Sequence, residues 1–156
     1  MAAEVVYESR LAWDSERPNT TLITCVDGRW FPHFQEFARE HLEAGEPTDF
    51  LAVPGGIEPM TLFDLVPKDF NFFRRRIENL VEAHGTRRIV AIAHQDCAWY
   101  KKLKLGPVTL DLRDRQRADL RRSAARLREM FPGVTVETYF ARLSGARPER
   151  VVFEVV

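Results

Sequence analysis

The chain has 156 residues, of which 45% are hydrophobic, and its 23 lysines and arginines balance 23 aspartates and glutamates. This composition excludes a disordered chain, zero net charge argues against nucleic acid or a membrane surface as a partner, and no apolar run approaches the roughly 18 residues of a membrane span. Residues 1–10 lack the apolar segment of a secretory signal, so we expect a cytoplasmic protein with a single domain over residues 1–156.

Short runs rich in β-branched residues alternate along the chain with amphipathic segments of helical periodicity. The predicted strands cover 20–26, 49–53, 88–93, 134–140 and 151–156, and the helices between them begin near Pro32, at Asp69 as the N-cap and at about Asp114. The third strand is apolar enough to be buried on both faces, as strands of parallel sheets are.

This alternation of strands and helices is typical of an α/β fold with a mostly parallel central sheet flanked by helices. Parallel neighbours need a crossover of about a dozen residues or more, and the loop between the last two predicted strands is shorter than that. We therefore expect the C-terminal strand to pair antiparallel at an edge of the sheet.

Both cysteines of the chain lie at the carboxyl ends of predicted strands. Cys25 comes late in the first strand, and Cys97 follows the third strand within a His94-x-x-Cys97 motif. If these strands are neighbours, their carboxyl ends bring two thiolates and an imidazole together, a donor set that suits Zn²⁺ and leaves a fourth position for water. Two buried core thiols are the alternative, and a Cys25–Cys97 disulfide is disfavoured in a reducing cytoplasm.

Asp27 and Arg29 come directly after the first cysteine. An aspartate beside a zinc ion can accept a hydrogen bond from metal-bound water, or it can occupy the fourth coordination position itself. The arginine would hold that carboxylate through charge-assisted hydrogen bonds. A solvated Asp-Gly turn with a surface arginine is the alternative interpretation.

These two motifs, Cys-x-Asp-x-Arg and His-x-x-Cys, resemble those of the β-class carbonic anhydrases, and the likeness covers about residues 15–156. It includes the Val53-Pro54-Gly55-Gly56 loop and the segment 139–145. The resemblance implies a β-carbonic-anhydrase-like zinc domain that forms a homodimer or a higher homo-oligomer. The zinc ligands that it implies are Cys25, His94 and Cys97, with Asp27 and Arg29 as the catalytic dyad. Six phenylalanines are also more than one small core obviously needs, and some are expected at a subunit interface: Phe31, Phe34, Phe37, Phe70, Phe72 and Phe73.

The leading functional hypothesis is zinc-dependent, reversible hydration of carbon dioxide to bicarbonate by zinc-bound hydroxide, with Trp30 and Phe31 as an apolar niche for the substrate. One alternative is hydrolysis of another small heteroallene, carbonyl sulfide or carbon disulfide, because the metal chemistry is shared. The other is a non-catalytic zinc-bound binding module in which Asp27 permanently closes the fourth position. Two departures from the family pattern favour this module: Glu16 replaces a glutamine that binds bicarbonate, and Ala98 replaces a glycine.

Overall fold

A five-stranded sheet forms the centre of the fold, in a computed structural model that describes residues 3–42, 47–62, 64–103 and 111–156. The strands in chain order are β1 (Thr20–Thr24), β2 (Asp49–Ala52), β3 (Arg88–His94), β4 (Thr135–Leu143) and β5 (Val151–Val155). Their spatial order is β2-β1-β3-β4-β5, in which the first four strands are parallel and β5 pairs antiparallel with β4 at the edge. The predicted α/β fold with a mostly parallel sheet is confirmed.

Helices cover both faces of this sheet. The α-helices are α1 (Phe31–Phe37), α2 (Pro67–Asn79), α3 (Ala98–Lys102) and α4 (Leu112–Met130). Single π-helical turns continue α1 over Ala38–Leu42 and α2 over Leu80–His84, and a 3-10 helix, Glu58–Thr61, follows β2. In the part of the chain that the structure describes, no helix combines the length and the apolarity needed to cross a bilayer.

Two predicted helix starts are wrong. Helix α2 begins at Pro67 instead of being capped by Asp69, because a proline at the first helical position has no N–H to leave unpaired and its φ is already helical. Asp69 lies in the first turn instead. Helix α4 begins before Asp114, because the carboxylate of Asp111 accepts a hydrogen bond from the Arg113 amide at 3.0 Å and so caps the helix earlier.

The sheet separates two apolar cores. Successive residues of a strand point to opposite faces, so Ile23 of β1 packs with α2 and α4, whereas its neighbour Leu22 packs with α1. Strand β3 contributes to both cores in the same way, and all of its residues after Arg88 are buried. Burial on both faces explains why this strand reads as one continuous apolar run.

Most of the six phenylalanines, some of which the sequence places at a subunit interface, belong to these cores. Phe34 of α1 is fully buried, and Phe70 and Phe73 are buried between α2 and the sheet. Phe72 is 58% exposed, and the Arg76 guanidinium stacks over its ring at 4.7 Å. The number of phenylalanines is therefore explained largely by packing within one chain, because the two-sided sheet needs two aromatic-rich layers.

Candidate metal centre

The carboxyl ends of β1 and β3 lie side by side, because the two strands are direct neighbours with Thr24 paired to Ile92. Cys25 follows β1, His94 is the last residue of β3, and Cys97 directly precedes α3. All three side chains are buried, and one ligand atom from each lies within 4.8 Å of the others. The structure thus brings together the three residues that the sequence proposes as metal ligands.

The two thiols have the spacing and surroundings of paired metal ligands. Their Sγ atoms lie 3.9 Å apart, close to the roughly 3.8 Å that two Zn–S bonds of about 2.3 Å span in a tetrahedral site. The backbone amides of Asp27 and Gly55 contribute to lowering the pKa of Cys25. Such donors stabilise sulfur in its thiolate form, which is the form that binds a metal.

A hydrogen bond joins the two thiols. The hydrogen bond from Cys97 is the main reason why the pKa of Cys25 is lowered, and the same bond, together with burial, raises the pKa of Cys97. A divalent cation between the sulfurs would favour the ionised form of both.

His94 is oriented with one ring nitrogen free to coordinate. Its Nδ1 lies 2.8 Å from the carbonyl oxygen of Gln95, to which it can donate, and its buried Nε2 has no hydrogen-bond partner among the described residues. The amide of Gln116 donates to the His94 carbonyl at 2.8 Å, and the Trp30 ring packs 4.9 Å from the imidazole. An imidazole tied through one nitrogen, with the other buried and unpaired, is the usual arrangement of a metal ligand. The donor set therefore fits a metal ion.

Asp27 and Arg29 form a bidentate ion pair beside this cluster. The guanidinium donates from Nε to Oδ1 at 3.0 Å and from Nη2 to Oδ2 at 2.7 Å, and the Arg29 amide also donates to Oδ1 at 3.0 Å. The pair lowers the pKa of Asp27 to about 2. In the described chain, the group of atoms placed to hold a metal includes the two sulfurs and the imidazole but not this carboxylate. Asp27 is thus held by Arg29 rather than placed as a fourth ligand.

The loop after β2 packs against the metal centre, where it contacts the Cys25 backbone and the Trp99 ring. Gly55 and Gly56 have φ of +82° and +62°, which favour glycine. A Cβ atom on Gly56 would lie 3.2 Å from the Cys25 amide nitrogen, and one on Gly55 would overlap the Trp99 ring. The sequence marks this segment as a turn, and the tertiary structure shows that the glycines allow it to pass between Cys25 and Trp99.

Glu58 is a residue of this region that sequence reasoning missed. It lies in the 3-10 helix, its side chain is 1% exposed, and its Oε2 accepts a hydrogen bond from the Trp99 indole nitrogen at 3.3 Å. A glutamate after a Gly-Gly turn carries no local signal of burial, because charged residues at such positions are usually solvated.

The two residues expected to form an apolar niche for the substrate lie in different surroundings. Trp30 lies against His94, whereas the Phe31 ring packs 5.3 Å from Phe50 of β2.

Comparisons with known proteins point to one family and one fold. Residues 15–149 match a family model described as "Putative carbonic anhydrase". An uncharacterized protein of Rickettsia bellii (strain RML369-C) is 24% identical over 135 residues, which are 81% of this chain and 78% of that protein. The solved structures that resemble the chain include tetrameric β-carbonic anhydrases of Sordaria macrospora, at 15% identity and a TM-score of 0.54 over 82% of this chain and 77% of the other. β-Carbonic anhydrase isoform I of Trichomonas vaginalis matches at 16% identity and a TM-score of 0.50, over 96% and 88% of the two chains.

Proposed function

The chain belongs to the carbonic anhydrase family that this model describes and has the β-class fold, and from that premise we propose that it catalyses the zinc-dependent, reversible hydration of carbon dioxide to bicarbonate. The observation that carries the proposal is the buried, unpartnered Nε2 of His94 beside the sulfurs of Cys25 and Cys97. Zinc is the metal that best suits two thiolates and an imidazole. A bound zinc ion would lower the pKa of a coordinated water far below that of bulk water and so supply a hydroxide nucleophile, although two thiolates would make it a weaker acid than a centre of neutral ligands, whose water has a pKa of about 7.

The remaining residues orient that nucleophile and its substrate. Asp27 is ionised at all pH values well above 2, so its carboxylate can accept a hydrogen bond from the nucleophile and direct it towards the carbon atom. Arg29 holds both carboxylate oxygens and so keeps this negative group from coordinating the metal. Trp30 supplies an apolar wall beside His94, which suits an uncharged substrate that needs no ionic anchor.

The same ion pair favours a catalytic centre over a closed, non-catalytic one. A non-catalytic module would need the Asp27 carboxylate in the fourth coordination position, and both of its oxygens are bonded to Arg29 instead. The open arrangement is the one in which a zinc centre with three protein ligands catalyses a reaction. This observation favours the enzyme.

The direct test is a stopped-flow hydration assay on purified protein whose metal content is measured in the same sample. We expect hydration to depend on about one zinc per chain and to stop when a chelator removes the metal. Assays with carbonyl sulfide and carbon disulfide, on the same preparation, separate the alternative substrates. A fully zinc-loaded protein that hydrates no carbon dioxide at any pH would overturn the proposal.

We also propose that the chain acts as a homodimer or a higher homo-oligomer. The family match supports this, because the β-carbonic anhydrases of Sordaria macrospora that share its fold are described as tetrameric. Closed two-fold symmetry is the commonest arrangement for such assemblies. Light scattering at micromolar concentration is expected to give at least twice the 18.1 kDa mass of one chain, and a mass of one chain would contradict the proposal.

A further inference from the structure

Next to the metal centre, the buried carboxylate of Glu58 contacts the indole of Trp99, which in turn packs against the glycine loop after β2. We propose that Glu58 is a positioning residue for this centre: it holds Trp99 against Gly55, and thereby fixes the loop beside Cys25 relative to the helix that follows Cys97. We call Glu58, Trp99 and Gly55 the thiolate clamp. The inference rests on the proposed zinc site, and it assigns to Glu58 a role that neither of the two sequence motifs contains.

Glu58 lies in an environment that is costly for a carboxylate. Its side chain is 1% exposed, and burial raises its pKa. One oxygen accepts the Trp99 indole hydrogen bond at 3.3 Å, while Oε1 has no partner within the described ranges. A leucine would fill such a position without the free-energy cost of burying a polar group that is incompletely hydrogen bonded. The hydrogen bond to Trp99 is therefore the feature that distinguishes glutamate from an apolar residue here.

Trp99 connects the two segments that carry the sulfur ligands. It lies in the first turn of α3, two residues after Cys97, and its ring packs directly on Gly55, while a Cβ atom on the adjacent Gly56 would lie 3.2 Å from the Cys25 amide nitrogen. The ring is 40% exposed, so apolar packing alone does not prevent it from turning towards solvent. The carboxylate of Glu58 fixes the indole nitrogen from the buried side.

The relative position of these two segments matters because Cys25 and Cys97 must bring their sulfurs to one metal ion. Contacts outside the ligand set hold the ligands in the orientation that the metal requires. Loss of such outer contacts typically reduces metal affinity by about 10- to 100-fold. If the clamp loosens, the metal should leave faster although all three ligands are still present.

The clamp can be tested by the release of Co²⁺ from the Co²⁺-loaded full chain to excess EDTA at neutral pH. Glu58→Leu removes the acceptor, and Trp99→Phe keeps an aromatic ring but removes the indole N–H. Both are expected to release Co²⁺ about tenfold faster than wild type and to alter the sulfur-to-cobalt absorption band. Glu58→Gln keeps a carbonyl acceptor and should stay close to wild type. Asp119→Asn is the matched control, because Asp119 is also buried but its carboxylate accepts hydrogen bonds from Tyr100 and Arg122 and not from Trp99.

A glycine pair supplies a second arm of the same test. Gly55→Ala adds a Cβ atom against the Trp99 ring, at a φ of +82° that strains an alanine. Gly85→Ala adds the same strain at φ +79° but meets no atom within 4 Å. We expect fast Co²⁺ release from the first variant and wild-type release from the second.

The outcomes separate this inference from the proposed function. If the wild-type chain binds neither Co²⁺ nor Zn²⁺, the metal site fails and the clamp fails with it. If the wild-type chain binds the metal, and folded Glu58→Leu and Trp99→Phe proteins release it at the wild-type rate, the clamp alone is overturned. Circular dichroism establishes that each variant is folded. Equal acceleration by Glu58→Gln and Glu58→Leu would also overturn the clamp, because the effect would then come from charge and not from the hydrogen bond.

Discussion

Replacing Cys97 with serine is expected to remove most of the bound zinc, from about one ion per chain to nearly none. Serine keeps the size of the side chain, but its hydroxyl does not ionise near neutral pH and is a poor ligand for zinc. Two ligands, Cys25 and His94, would remain, which is too few for a stable site. Elemental analysis of protein purified without a chelator measures the effect, and Cys25→Ser should behave in the same way.

The loss of metal should also destabilise the fold. Metal that binds the native chain and not the unfolded one adds its binding free energy to stability, so a chelator should lower the melting temperature of wild type. It should have little further effect on Cys97→Ser, which has already lost the metal. Tyr100→Phe is the matched control, because it removes a hydroxyl from the same buried cluster without removing a ligand. A Cys97→Ser protein with wild-type zinc content would overturn the assignment of this ligand.

Replacing Arg29 with alanine is expected to abolish most hydration activity while the zinc content stays near its original level. The Arg29 side chain is 67% exposed and contributes no ligand, so neither the core nor the donor set changes. What changes is the position of the Asp27 carboxylate, which loses both guanidinium contacts and becomes free to turn towards the metal. A carboxylate that competes for the open coordination position blocks the nucleophile.

The pH dependence distinguishes this explanation from a change in the charge of Asp27. The Arg29 contacts hold the pKa of Asp27 at about 2, and without them it would rise towards the ordinary value of about 3.9. The carboxyl group is ionised in both proteins from about pH 6.5 to about 9, so any rise in rate over this range reflects the loss of a proton from the nucleophilic water. We expect the wild-type rate to be low near neutrality and to increase towards alkaline pH, because two thiolates leave the metal a weaker acid.

Two further variants test whether activity depends on the paired hydrogen bonds of Arg29 and not only on its positive charge. Arg29→Lys keeps the positive charge but cannot form the two parallel hydrogen bonds, so we expect an intermediate rate. Arg39→Ala removes another exposed arginine, one paired with Glu40 on the surface, and should leave the rate unchanged. An Arg29→Ala protein as active as wild type, or a flat pH profile for wild type, would remove the ion pair from the mechanism.

Much of the fold could be read from local patterns. The apolar run of β3 predicts a strand that is buried on both faces, and the order of strands and helices predicts a parallel sheet. The short connection between the last two strands predicts their antiparallel pairing, which the structure confirms. These features depend on the lengths of connecting segments and on periodicity within a few residues, and both are properties of the amino-acid sequence itself.

The candidate metal ligands could be proposed for a similar reason. Cys25, His94 and Cys97 each lie at or just beyond the carboxyl end of a predicted strand, and neighbouring parallel strands end at the same edge of a sheet. One assumption was needed, that the first and third strands are adjacent, and the structure places β1 beside β3. Asp27 and Arg29 lie two residues apart in one turn, so their interaction is also a local property of the sequence.

Other features were decided only by the tertiary structure. The phenylalanines expected at an interface are mostly core residues, because their burial depends on which helix covers which face of the sheet. The contact between Glu58 and Trp99 joins residues 41 positions apart, and neither residue lies in a pattern that predicts the other. Periodicity and turn signals describe a residue relative to its own element. Contacts between distant elements depend on how those elements pack in three dimensions, so the surroundings of the metal ligands could be seen only in the folded chain.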